Sequence, residues 1–521
     1  MERREFLVGT AAAVAGVATQ PAAAHYYDNV WVKSPPGQPL SPSDIESAIV
    51  RLRKQFLAEF DEAYVENVII PHFLVSIYEG ERKVLPMIGV ELTKENALPY
   101  DLWGLLSETW KPASEYGVTV FLQGLEKRGP HNRRKRIYMT ALTPDLYRPA
   151  YGDKVVAFFD KLLGDGNVGK PLMRPYLESY FDLYWDLHLG VKGNAIPQRV
   201  HDIGQAFNTV LAYRDPTQKI VYENYMNVRE NLTYLKEWID DRLADLTSGK
   251  TQAPEKTFAH YWIKNAGNGE YFAHKDVVFE VFHNFVALSQ WGNTMYNIML
   301  KLANDTGDPA ARAWFKKTME GNPDDGQGEA FTPLERFVME LFRVITPNGG
   351  SISALQETRT PPFERHGYIV TPHEASSFDP VNWKEPTTFD PDRYKSAPTS
   401  DDIDEEKCQQ IGFAKCPFEK EAFEVKDGRK ASIHNSGFGT VFGVVDGKPL
   451  PVCDSAGFAP FGFGYRRCPG EQLTIQVFED FLRKVWTSGI EFQKLDIANP
   501  EPLPIGPTTV IADNVGFNRA T

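Results

Sequence analysis

Cys468 is the residue of this 521-residue chain best placed to do chemistry. It lies in the stretch FAPFGFGYRRCPGEQLTIQVFEDFLRKVW, from Phe458 to Trp486, and is followed by Pro469-Gly470 and then by Leu473, Val477, Phe481 and Val485 at helical spacing. The pattern predicts a sulfur just ahead of a helix start, where unpaired N–H groups and the positive end of the helix dipole favour thiolate over thiol. Arg466 and Arg467 add positive charge beside it, and Gly462, Gly464 and Gly470 let the backbone approach a flat ligand and turn N–H groups toward sulfur. A single thiolate in such a loop suits a metal that takes few protein ligands, haem iron among them. No CxxC or HExxH zinc pattern competes with it. A buried structural cysteine in a tight turn is the other reading that these residues allow.

The ten residues Phe461-Gly462-Phe463-Gly464-Tyr465-Arg466-Arg467-Cys468-Pro469-Gly470 resemble the haem-binding signature of the cytochrome P-450 superfamily, F-x-x-G-x-R-x-C-x-G, at every fixed position. The resemblance implies that Cys468 is the proximal thiolate and metal ligand of haem b, with Gly462 and Gly470 in the cofactor loop. It implies that Arg466 pairs with a haem propionate and that Phe461 packs beside the sulfur. Upstream, Glu340-Leu341-Phe342-Arg343 resembles the family's E-x-x-R helix, and Phe389-Asp390-Pro391-Asp392-Arg393-Tyr394 its F-x-P-x-R-F segment. Glu and Arg three apart share a helix face and can pair, as an ordinary surface pair also would. The resemblance makes Glu340, Arg343 and Arg393 a structural triad beneath the haem.

Two further resemblances are looser. Gly129 to Arg136 is similar to the helix that contacts haem propionates, with His131 and one of Lys135 or Arg136 supplying the charge; a solvated basic run fits equally. Gln290-Trp291-Gly292-Asn293-Thr294 is similar to the distal segment in which an acid and an alcohol deliver protons to bound oxygen. Here Asn293 stands in place of the acid, so Gln290, Asn293 and Thr294 are the catalytic candidates, unless the register on the helix is another. Ser289 to Asn293 is also weakly similar to the hydroperoxide-rearranging branch, the allene oxide synthase and hydroperoxide lyase group, although that branch alters the cysteine loop and this chain does not.

These residues need a scaffold. From about Ser41 to Val344 apolar residues recur at three- and four-residue spacing, and Ser41-Pro42-Ser43-Asp44 reads as one helix start. Asp276 to Asn304 reads as a long helix with Phe282, Phe285, Val286, Met295, Ile298 and Leu302 inward. Thr332-Pro333-Leu334-Glu335 is a capping box that opens a helix with Phe337, Val338, Leu341 and Phe342 buried, and Pro347-Asn348-Gly349-Gly350 stops it. Between Gly350 and Pro460 the chain becomes rich in Pro, Gly, Asp and Thr, with short β-prone pieces such as Tyr368-Ile369-Val370 and Thr440-Val441-Phe442. The expected fold is therefore mainly α with a small β region, a single large domain of the cytochrome P-450 kind over residues 25–521. Arg393 and Cys468 lie further apart than the family spacing implies, which places an insertion at about 398–452. It holds an acidic run from Asp401 to Glu406, and Cys408 and Cys416, which either pair or stay as thiols.

Composition narrows the partners. A net charge of −13 speaks against nucleic acid and anionic membrane surfaces. Four cysteines are too few for a disulfide scaffold, and no apolar run reaches the roughly 18–20 residues of a transmembrane anchor. Residues 1–24, MERREFLVGTAAAVAGVATQPAAA, resemble a twin-arginine export signal that departs from the usual pattern at Glu2 and Val8. That implies a periplasmic or secreted protein; an Ala-rich tail on a cytoplasmic one is the alternative. The resemblance implies monooxygenase-type oxidation of a small apolar molecule, using oxygen and two electrons from a donor protein. A peroxide-driven oxygenation or rearrangement of a fatty acid or lipid hydroperoxide is the alternative. A haem redox carrier or sensor without turnover is the third, if Trp291 points into the distal pocket and blocks it.

Overall fold

The computed structural model describes residues 128–213, 218–267, 269–329, 331–347, 350–354, 368–372, 377–380, 383–395, 422–432, 442–445, 448–451, 460–461, 468–507 and 509–520, with scattered residues between 47 and 65. The expected export signal, the helix start at Ser41, Cys408 and Cys416 lie outside them, as does most of the expected insertion. Helices dominate in chain order: α1 Arg128–Met139, α2 Asp153–Leu162, α3 Met173–Leu189, α4 Gln198–Ala212, α5 Lys219–Thr247, α6 Phe258–Asn265, α7 His274–Leu302, α8 Pro309–Glu320, α9 Pro333–Ile345 and α10 Glu471–Thr487. The strands are short. Antiparallel pairs form between β1 Gly350–Ala354 and β2 Tyr368–Pro372, β3 Ala422–Glu424 and β4 Lys430–Ser432, and β5 Phe442–Val445 and β6 Lys448–Pro451. After α10, β7 Ile490–Lys494 pairs with β10 Val515–Arg519, and β8 Pro502–Gly506 with β9 Thr509–Ala512.

Helix α7 is the axis. It begins where the Asp276 carboxylate accepts the Ala273 N–H at 2.8 Å, one of the orphan donors of a helix start. It packs against α3, α4, α5, α6, α8 and α9, and against β7, β8 and β10. Phe282, Phe285, Met295, Ile298 and Leu302 are buried as the periodicity requires. Phe285 stacks on Phe181 with ring centroids 5.1 Å apart, and Phe282 meets Phe207 at 4.7 Å. Burial of each such ring contributes about 1.5–3 kcal/mol.

Helix α9 carries the capping box that the sequence announces. Thr332 Oγ1 accepts the Glu335 N–H at 3.2 Å, and the Glu335 carboxylate accepts the Thr332 N–H at 2.7 Å. The helix stops at Thr346, whose φ of 44° lies in the left-handed region. Helix α10 buries Leu473, Val477, Phe481 and Val485. Its Asp480 accepts the Tyr147 hydroxyl at 2.7 Å and pairs with Arg148 at 2.7 Å, which anchors it to the turn ahead of α2. The β3–β4 hairpin falls within the expected insertion and is tied to the helical body. Arg429 donates to the Thr140 carbonyl at 3.0 Å and lies 4.7 Å from the Tyr261 ring, and Lys426 reaches the Lys264 carbonyl at 2.7 Å.

The β8–β9 ribbon seats on α7 where glycine permits it. A Cβ on Gly292 would lie 2.5 Å from the Ile505 carbonyl oxygen, and one on Gly506 would lie 2.8 Å from that of Ser289. Gly292→Val therefore forces backbone apart and should cost about 1–3 kcal/mol in a denaturant titration. Gly166→Ala, where nothing lies within 4 Å of the added carbon, should leave the midpoint unchanged.

Candidate functional site

Cys468 stands two residues ahead of Gly470, the cap of α10. Its N–H donates to the Phe461 carbonyl at 2.9 Å, which draws the two ends of the loop together. Cys468 is half-buried, in no disulfide, and lies just ahead of α10, where the helix dipole favours an anion. A Cβ on Gly470 would lie 3.7 Å from this sulfur, so the glycine packs beside it. Gly462 and Arg466 lie outside the described residues. Among the described residues no cluster of three His, Cys, Asp or Glu side chains could hold a metal.

A buried charge cluster on α9 braces this loop. The Glu340 carboxylate accepts from Arg343 Nε at 2.8 Å and Nη2 at 2.7 Å, and from Arg393 Nε at 3.1 and 3.2 Å. It also accepts the Tyr394 hydroxyl at 3.2 Å and the Asp390 N–H at 2.9 Å. Arg343 spends its remaining N–H groups on the carbonyls of Ser377, Pro386 and Thr388. Burial works against the Arg343 charge, but Glu340 outweighs it and holds the guanidinium above its ordinary pKa. Such a cluster tolerates burial because each charge is paired and each donor used. The next residue on α9, Phe342, packs its ring 5.1 Å from Phe461 and 5.8 Å from Phe478. The triad and the cysteine loop are thus joined through one helix.

Of the distal candidates on α7, Thr294 meets Gln290, while Asn293 turns to Pro347 just past α9. Thr294 Oγ1 donates to the Gln290 carbonyl at 2.9 Å. The Asn293 amide donates to the Pro347 carbonyl at 3.2 Å and its oxygen accepts from Asn297 at 2.6 Å. Gln290 Oε1 is buried with no hydrogen-bond partner among the described residues. Trp291 marks the side of α7 that meets α10. Trp291 Nε1 donates to Thr474 Oγ1 at 3.0 Å, on the helix that Cys468 introduces; the indole is therefore tied to α10. Seven residues along an α-helix turn through about 700° and nine through about 900°. Asn284 thus shares the face of Trp291, and Asn293 lies opposite.

Asn284 and its partners went unnoticed in the sequence. Tyr138 on α1 donates its hydroxyl to Asn284 Oδ1 at 2.6 Å, and Asn284 Nδ2 lies 3.1 Å from His188 Nε2. Burial first, then Glu280 and Cys468, push the Tyr138 phenol well above its ordinary pKa, so the cysteine is within electrostatic reach of it. One turn and two turns before Asn284, Glu280 and Asp276 take the fully buried Arg134 of α1 at 3.1 and 3.5 Å. The signal was present: Asp276, Glu280 and Asn284 recur every four residues in the largely apolar first half of the helix. The basic segment of α1 is not a solvated run, since Asn132, Arg134 and Lys135 are buried. Arg136 is half-buried, and the side chain of His131 lies outside the described residues.

His188 supplies a pH test of this interior. Burial lowers its pKa from 6.5 to about 3. Below pH 6.5 the unfolded chain takes up a proton that the folded chain refuses, so stability falls as the pH drops toward 3. Relative to the parent, His188→Gln should lose about 2 kcal/mol of the stability difference between about pH 6.5 and 5, read by denaturant titration at both.

No family model matches the chain, and no curated protein matches its sequence. Solved structures match its shape. The cyanobacterial CYP120A1 with bound retinoic acid aligns at a TM-score of 0.51 over 77% of this chain and 81% of that one, at 13% identity. A mutant heme domain of cytochrome P-450DA gives 0.52 over 94% and 98%, at 12% identity. A zebra fish cytochrome P-450 with abiraterone gives 0.50 over 80% and 87%, at 11% identity. The chain has the cytochrome P-450 fold.

Proposed function

We propose that the chain is a haem-thiolate oxidoreductase that oxidises a small apolar molecule, with haem b held by the Cys468 sulfur. The observation that carries this is the placement of Cys468: at the first turn of α10, in a loop closed by the Phe461 carbonyl and braced through Phe342 by the Glu340 cluster. The donor chemistry fits the group: one cysteine sulfur just ahead of a helix start. Thiolate-ligated haem, when bound, supplies cleavage of an oxygen–oxygen bond.

The rest falls to this chain's own side chains. Glu340, Arg343 and Arg393 hold the loop; Arg466, with His131 and Arg136 of α1, is assigned to the propionates; Gly462 and Gly470 let the backbone come close. Gln290, with its unpartnered buried oxygen, is the member of the Gln290, Asn293 and Thr294 group best able to hold a water. The ligands in two of the matching structures, retinoic acid and abiraterone, are largely hydrophobic, in keeping with an apolar substrate. Among the described residues no helix is long and apolar enough to cross a membrane, and the pattern of residues 1–24 supports export.

The default reaction is monooxygenation with oxygen and two electrons from a donor protein. The alternative is a peroxide-driven reaction: in the segment from Gln290 to Thr294 an amide, Asn293, stands where an acid would supply protons. An exported enzyme also lacks ready access to cytoplasmic reductases.

Protein produced with abundant hemin should be coloured and give a thiolate-type carbon monoxide spectrum that Cys468→Ser abolishes. A colourless product, or an unaltered spectrum in the variant, ends the haem-thiolate assignment. Fatty-acid hydroperoxide added without any reductase separates the two reactions: rapid consumption supports the peroxide route, and none supports the monooxygenase.

A further inference from the structure

A cavity of about 220 Å³ lies where α8, the start of α9 and the 3-10 turn Pro391–Tyr394 meet. Trp314 and Lys317 line it from α8, Pro333 and Arg336 from α9, and Asp392 and Lys395 from the turn and the residue after it. One water needs only about 30 Å³ of liquid volume, so a larger guest fits. The charged lining is unequal, with three cations against the one carboxylate of Asp392.

Those charges are not matched by bonds. Asp392 lies 3.7 Å from Arg336 Nη2 and 3.9 Å from Lys317 Nζ, both beyond hydrogen-bond reach. Arg336 is 8% exposed; it gives Nη1 to the Phe331 carbonyl at 3.2 Å and leaves Nε buried without a partner. Two turns further along α9, Arg343 shows what the same edge does when it is satisfied: its Nε and Nη2 grip the Glu340 carboxylate at 2.8 and 2.7 Å. A buried guanidinium edge without an acceptor in bonding range carries a desolvation cost that an oxyanion would offset. The Lys317 ammonium sits 3.8 Å from the Trp314 ring centroid, a contact that positions the cation and occupies no acceptor.

We propose that this cavity binds a phosphate group, as the free anion or as a monoester, through the Nε–Nη2 edge of Arg336 and the ammonium groups of Lys317 and Lys395. A dianion matches the surplus of two positive charges, and tetrahedral oxygens can meet donors that arrive from three elements. Trp314, Pro333 and Pro391 give the organic part of an ester an apolar surface to rest on. The occupant joins α8 and α9 to the turn whose Arg393 and Tyr394 bond Glu340, so binding stabilises the folded chain. The site is independent of the haem-thiolate assignment.

Calorimetric titration of the full chain with inorganic phosphate, at constant ionic strength, should show one saturable site that acetate does not fill. The denaturation midpoint should rise with phosphate and level off where the titration saturates, whereas the general effect of an excluded salt keeps growing. Lys317→Met and Lys395→Met, at exposed positions, should each weaken binding up to about fivefold, and Arg336→Gln by more than about tenfold. Asp392→Asn removes the competing carboxylate and should tighten binding, a gain that a damaged fold does not produce. Phenyl phosphate separates the two sources: tighter binding than inorganic phosphate supports a monoester, and equal or weaker binding supports the free anion. The absence of saturable binding, equal filling by acetate, or an affinity unchanged in both Lys317→Met and Asp392→Asn overturns the proposal, even if Arg336→Gln fails to fold.

Discussion

The Glu340 carboxylate is the constraint on which the described structure most depends. A fully buried anion without partners costs several kcal/mol, so the chain must bring it donors, and those donors come from distant segments. Arg343 is on its own helix, whereas Arg393, Tyr394 and the Asp390 N–H come from residues 390–394. Folding this cluster draws an irregular segment, rich in turns and poor in strands, against α9. The same helix presents Phe342 to Phe461, so the electrostatics on one side of α9 set the place of the cysteine loop on the other.

Helix α7 separates two kinds of interior. Its aromatic positions bind α3 and α4 through Phe285 and Phe282. A second stripe, Asp276, Glu280 and Asn284, is polar and faces α1. Buried polar groups specify an arrangement more sharply than apolar ones, because each must find its partner. Arg134 between two carboxylates and Tyr138 against Asn284 therefore fix the axial register of α1 on α7, which apolar packing alone leaves freer.

What the sequence disclosed was local. The capping box at Thr332, the long apolar periodicity of α7 and the helix after Cys468 each depend on residues a few positions apart, and all three elements formed where expected. The Glu340, Arg343 and Arg393 set was legible because two of its members are one turn apart and the third lies in a short motif. The contacts of Tyr138 and His188 with Asn284 were not, since the three are scattered over three helices and nothing in their spacing pairs them. The register of the distal segment is not fixed by a helical wheel alone; the Trp291 to Thr474 bond shows which side of α7 meets α10, and Asn293 lies opposite it. The strands between Gly350 and Pro460 were visible as a tendency, while their pairings depend on contacts beyond any local pattern.

The Trp291 to Thr474 bond is a pin between two helices. It ties α7 to the helix that issues from the cysteine, while Phe342 moors the other end of the cysteine loop to α9. The loop itself is short and glycine-rich, so its place in the molecule is inherited from two long helices that do not belong to it, and a displacement of either is carried to the sulfur.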